Sequence, residues 1–181
     1  MIAISRFVKF FWFLSLLLFF ATLFAAYFYW PQIVDIKLNK HVYGSEDIYV
    51  TKEIAFYYVV GFVSLINIVM TVLGTTLGKL PAAMFLIPNA NFWKETTEKI
   101  LVVRALLKNW VLVFSGLINI LCTLFIFALL VINYQDQVSA SRNFDWLLPL
   151  SFVVLVLAMV YPWFRFSIKK FTVYDNGYFN S

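Results

Sequence analysis

Four stretches of this chain carry no Asp, Glu, Lys, Arg or His: residues 10–30, 54–77, 109–133 and 146–164. Each is close to the ~20 residues an α-helix needs to cross about 30 Å of hydrocarbon. Inside a bilayer the backbone has no water to bond, so a spanning segment must satisfy its own N–H and C=O groups, as a helix does. The pattern predicts an all-α membrane protein with four transmembrane helices. The runs leave too little of the 181 residues for a separate soluble domain, so residues 1–181 read as a single integral membrane domain.

Charge placement predicts the orientation. The net charge of +5 would suit an anionic partner such as nucleic acid, but its distribution points elsewhere. Segments 1–9, 78–108 and 165–181 hold ten basic and three acidic residues, whereas 31–53 and 134–145 hold four basic and six acidic. Cytoplasmic loops of membrane proteins carry such a Lys/Arg excess. The expected arrangement therefore has both termini and the 78–108 segment in the cytoplasm, and 31–53 as a small outer flap. No nucleic-acid partner is implied.

Two of the spans share a motif. Residues 64–73 read SLINIVMTVL and residues 116–125 read GLINILCTLF. Asn67 and Thr71 fall one turn apart in the first copy, as do Asn119 and Thr123 in the second. An amide at mid-bilayer needs a protein partner, and the simplest partner is the other amide, on an antiparallel neighbour. Such a pair standing alone predicts that Asn67→Leu with Asn119→Leu is milder than either single change, since one change strands an amide. In span 2, Gly61, Ser64, Asn67, Thr71, Gly74 and Gly78 recur at steps of three and four, on one helix face. Small residues let membrane helices approach closely, so these six, with Ser115, Asn119 and Thr123 of span 3, are the predicted packing residues. Cys122 has no second cysteine to pair with and is expected to pack as a small hydrophobe.

Between the spans the signals are weaker. The first apolar run is too long for a signal-peptide core and lacks a small-residue cleavage pattern, so it is expected to be retained. After Pro31, residues 34–38 alternate apolar and polar. Gly44-Ser45-Glu46-Asp47 reads as a turn and 48–51 as a return strand, which together predict a short β-hairpin in the flap. In 78–108, Pro81 and Pro88 bracket a short apolar run, and Asn91 is a candidate cap for an amphipathic interfacial helix running into span 3. Asp145 is a candidate cap for span 4, and Pro149 falls in that span's first turn, where proline is tolerated. Aromatics and Asn176-Gly177 suggest that the C-terminal tail docks on the rest of the protein.

Pro31, the alternation after it, Gly44 and Tyr49-Val50-Thr51-Lys52, together with Ile87-Pro88-Asn89-Ala90-Asn91-Phe92-Trp93, resemble the bacterial membrane domain of unknown function found in SdpI-type immunity proteins. The likeness covers roughly residues 10–133 and leaves span 4 and the tail outside. It implies a multi-pass protein of the bacterial cytoplasmic membrane, with no established activity. It singles out Tyr49, Lys52, Asn89, Phe92 and Trp93 as candidate contacts for a partner or ligand.

Coupled transporters place titratable groups inside the membrane, and no span here contains one. Haem needs axial ligands, and the one histidine, His41, lies in the flap. No phosphate loop, nucleophile triad or zinc spacing is present. The expectation is a non-enzyme with no cofactor and no metal, held in the lipid bilayer and acting through helix packing. It would serve as an accessory or scaffold subunit beside other membrane proteins. The alternative is an immunity or sensing protein that binds a peptide or lipid at the outer flap.

Overall fold

A computed structural model describes residues 2–35, 49–134 and 144–169. The expected turn at 44–47, His41, the strand residues 36–38 and 48, and the 176–177 turn lie outside the described residues. Helix α1 spans Ile2–Tyr29 and leads into strand β1, Ile33–Asp35. Strand β2, Tyr49–Thr51, runs directly into helix α2, Lys52–Leu77. A single 3-10 turn, Ala82–Met84, and a short helix α3, Ala90–Lys94, precede the long helix α4, Thr97–Tyr134. Helix α5 covers Leu147–Ser167. Among the described residues four helices are long and apolar enough to cross a membrane: Ser5–Tyr29, Lys52–Leu77, Thr97–Asn133 and Leu147–Ser167.

Local chemistry explains most of these boundaries. Thr51 caps α2, its hydroxyl accepting from Ile54 N at 3.4 Å, and Glu53 sits in the first turn, where a negative charge suits the helix dipole. Thr96 accepts from Lys99 N at 3.3 Å at the start of α4. The interfacial helix therefore differs from expectation. It is interrupted between Lys94 and Thr97, and Asn89 rather than Asn91 precedes α3. Asn89 takes the left-handed conformation at φ 54°, which asparagine tolerates better than most residues. At α5 the residue before the helix is Trp146, with no side-chain cap, and Pro149 lies in the first turn.

The 38 residues of α4 reach about 57 Å at 1.5 Å per residue, and α1, α2, α3 and α5 all pack on it. Two apolar cores form along its length. One, at the strand end, gathers Phe19, Leu23, Trp30, Val34, Val63 and Ile126. The other, at the α3 end, gathers Phe85, Trp93, Val102, Val103 and Phe166. β1 and β2 pair antiparallel with Val34 opposite Val50. Val34 is fully buried against the first core while Ile33 and Tyr49 are exposed, as the alternation of side chains along a strand requires.

Candidate functional site

Between the two cores lies a cluster of polar side chains. Trp12 and Ser15 come from α1, Asn67 from α2, and Ser115 and Asn119 from α4. Residues three or four apart share a helix face, so α1 and α4 each turn a polar pair toward the point that Asn67 of α2 also faces. Asn67 Nδ2 donates to Asn119 Oδ1 at 2.8 Å, and Asn119 Nδ2 donates back to Asn67 Oδ1 at 3.2 Å. The second hydrogen of Asn67 goes to Val63 O at 2.9 Å, and that of Asn119 to Ser15 Oγ at 3.3 Å. Ser115 Oγ donates to Asn67 Oδ1 at 3.0 Å, and Ser15 Oγ to Trp12 O at 2.7 Å. Trp12 Nε1 reaches Asn67 Oδ1 at 3.0 Å and Ser115 Oγ at 3.2 Å.

These contacts fix the orientation of the Asn67 amide from both ends. An indole N–H only donates, so the atom it meets must be the amide oxygen; a backbone carbonyl only accepts, so Val63 O must face the amide nitrogen. Every donor on the five side chains has an acceptor. Ser115 and Asn119 are fully buried, and Asn67 and Ser15 nearly so. Thr71 and Thr123 instead bond along their own helices, to Asn67 O and Asn119 O, each at 2.8 Å. The two copies of the motif thus repeat the same local bond. Amides do not ionise near neutral pH and so serve as neither acid nor base, and the chemistry of this cluster is hydrogen bonding across helices.

The small-residue face of α2 divides. Gly74 is buried, and a Cβ there would lie 3.6 Å from Val111. Gly78 meets the stem of Lys108, whereas a Cβ on Gly61 would touch nothing within 4 Å. Ser64 and Thr71 line a cleft between α2 and α1. The tight approach belongs instead to Gly116, where an added Cβ would sit 2.5 Å from Phe11 Cε1.

The residues marked by the family likeness lie at the two ends. Tyr49 is exposed on the strand pair, and the Lys52 ammonium stands 5.1 Å from the centre of the Tyr27 ring. At the other end Asn89 Nδ2 donates to Ser167 O at 2.9 Å and Phe166 O at 3.3 Å, and Trp93 Nε1 donates to Phe166 O at 3.0 Å. The last carbonyls of a helix lack intrahelical partners, so these two side chains cap α5 from outside. Trp93 is fully buried, stacked edge-on with Phe166, and the Arg165 guanidinium lies 5.5 Å from its ring. Phe92 lies beneath the Lys99 ammonium at 3.6 Å.

Four participants were not foreseen: Trp12, Ser15, Trp110 and Gly116. The i, i+3 spacing of Trp12 and Ser15 in an otherwise apolar run was a legible signal. Trp110 was not, because its task depends on α5. Pro162 has no N–H for Ala158 O, four residues earlier, and Trp110 Nε1 donates to that carbonyl at 2.6 Å. No family model, curated protein or solved structure matches the chain.

Proposed function

We propose that the protein is a non-catalytic, multi-pass protein of the bacterial cytoplasmic membrane, with both termini in the cytoplasm, acting as an accessory or scaffold subunit of a larger membrane assembly. The supporting observation is the closed polar cluster. Trp12, Ser15, Asn67, Ser115 and Asn119 spend their donors on one another and on nearby backbone, tying three helices together. The side for a partner is α5, which is buried only at Leu147, Ser151 and Phe166 and otherwise exposes a continuous apolar flank. A photo-crosslinking residue at Leu157, 65% exposed, should yield one discrete heterologous adduct in native membranes. The same partner should survive gentle detergent extraction. Recovery of only free monomer by both routes overturns the proposal.

A second reading has a specific observation in its favour. The outward face of the strand pair presents Ile33 and Tyr49 to its surroundings. It is the reading the family likeness suggests: an immunity or sensing protein that takes a peptide or lipid at the flap. Ile33→Ser with Tyr49→Ser should then abolish binding of that peptide or lipid while leaving the helices folded. Unchanged binding rejects it.

A further inference from the structure

The amide cluster closes off one side of the α1–α2 pair, and the other side stays open. There a cleft in two adjoining parts lies between the two helices. Its upper part, about 370 Å³, is walled by Leu16, Phe20, Ile68 and Val72. Its lower part, about 350 Å³, is walled by Phe13, Gly74 and Leu112. Trp12 and Thr71 line both parts. At the lower end stand Lys9 of α1 and Lys108 of α4. Gly78 makes room for the second of these: a Cβ there would lie 3.4 Å from Lys108 Cδ. Among the described residues neither lysine is ion-paired.

We infer that this cleft binds one anionic phospholipid from the leaflet on the N-terminal side of α1, its phosphate on Lys9 and Lys108 and an acyl chain along Trp12, Leu16 and Ile68. Length and charge argue for that occupant. From Lys9 to Phe20 the helix advances about 16 Å, close to the ~15 Å depth of one leaflet's hydrocarbon. The two free ammonium groups then fall at headgroup level, where lysines attract anionic lipid. A partner helix in the same place would set an apolar surface against both charges. The inference does not depend on the subunit reading, since α5 lies on another flank of α4.

Native mass spectrometry of the full-length protein tests it, with added palmitoyl-oleoyl phosphatidylglycerol or the matching phosphatidylcholine. Phosphatidylglycerol should be retained one to one and raise the melting temperature, while phosphatidylcholine should do neither. Lys9→Gln with Lys108→Gln should weaken retention between about five- and thirty-fold, and Lys9→Arg with Lys108→Arg should keep it. Ile68→Trp, at an exposed position on the cleft wall, should displace the lipid with both lysines intact. Melting in phosphatidylcholine checks that the variants fold. Equal retention of the two lipids, or retention unmoved by the glutamine pair or by Ile68→Trp, overturns the inference. So does a cysteine at position 68 that crosslinks to a second copy or to another protein's helix.

Discussion

At the scale of single residues, two indoles, half-buried Trp12 on α1 and buried Trp30 just after it, have opposite circumstances. Trp12 Nε1 has two acceptors, whereas Trp30 Nε1 is buried among apolar side chains with no partner. Interhelical polar contacts in membranes average about 0.6 kcal/mol and reach about 1.7. Trp12→Phe should therefore lower stability by about 1 kcal/mol, and Trp30→Phe should leave it unchanged or raise it, since it removes an unsatisfied donor. Thermal unfolding of both variants in one detergent decides this. The cluster also revises the expectation drawn from two amides alone. With Asn67→Leu and Asn119→Leu together, the Trp12 N–H keeps Ser115 Oγ as an acceptor at 3.2 Å, but the buried Ser115 O–H loses Asn67 Oδ1, and a stranded buried donor costs about 1–3 kcal/mol. The double variant should thus remain destabilised, and adding Ser115→Ala with Trp12→Phe should recover part of the loss. If the double variant matches the parent, the Ser115 hydroxyl does not depend on Asn67.

At the scale of elements, helix pairs are set by where a side chain is missing or a backbone bond is absent. Gly116 admits the Phe11 ring between α1 and α4. Gly116→Ala should cost about 1–3 kcal/mol through overpacking, with partial rescue by Phe11→Leu. Gly61→Ala meets open space and should be neutral or slightly stabilising, because alanine favours the helix by up to about 1 kcal/mol. Equal losses at the two glycines would place the tight contact elsewhere. The α4–α5 pair rests on the carbonyl that Pro162 leaves free. Trp110→Phe should cost about 1 kcal/mol in the parent and less than half of that beside Pro162→Ala, where residue 162 regains its own N–H. Additive losses in that double-mutant cycle would show that the proline and the indole act independently.

At the scale of the whole molecule, the helices alternate in direction along α4. Trp30 at the end of α1 meets Ala55 near the start of α2, and Phe166 near the end of α5 meets Val102 and Val103 near the start of α4. The N-terminus, the 78–96 connection and the end of α5 therefore share one end of the bundle. With the Lys/Arg excess on that end, the proposed orientation, which follows the positive-inside bias, has it in the cytoplasm. A cysteine at Leu86, 92% exposed, should label with a membrane-impermeant maleimide only after the cytoplasmic side is opened. The same should hold for a cysteine at Lys169. Labelling of either in intact cells would reverse the orientation.

The division of information follows from what is local. Helix number and rough extent are written in runs of uncharged residues, because hydrocarbon selects on composition and length alone. The strand pair was legible in alternation, and the bond of each threonine to its asparagine in a four-residue spacing. Partner choice between helices was not, since it depends on rotation about each axis and on vertical offset, which neighbouring sequence does not encode. Packing alone brought Trp12 to Asn67, turned Gly61 outward while Gly74 went in, and set Trp110 beside a carbonyl freed on another helix. It also buried Trp93 under the end of α5 and left Lys9 and Lys108 together at the mouth of an open cleft. Each of these is a meeting of residues far apart in the chain, and only the folded protein decides which of them share a site.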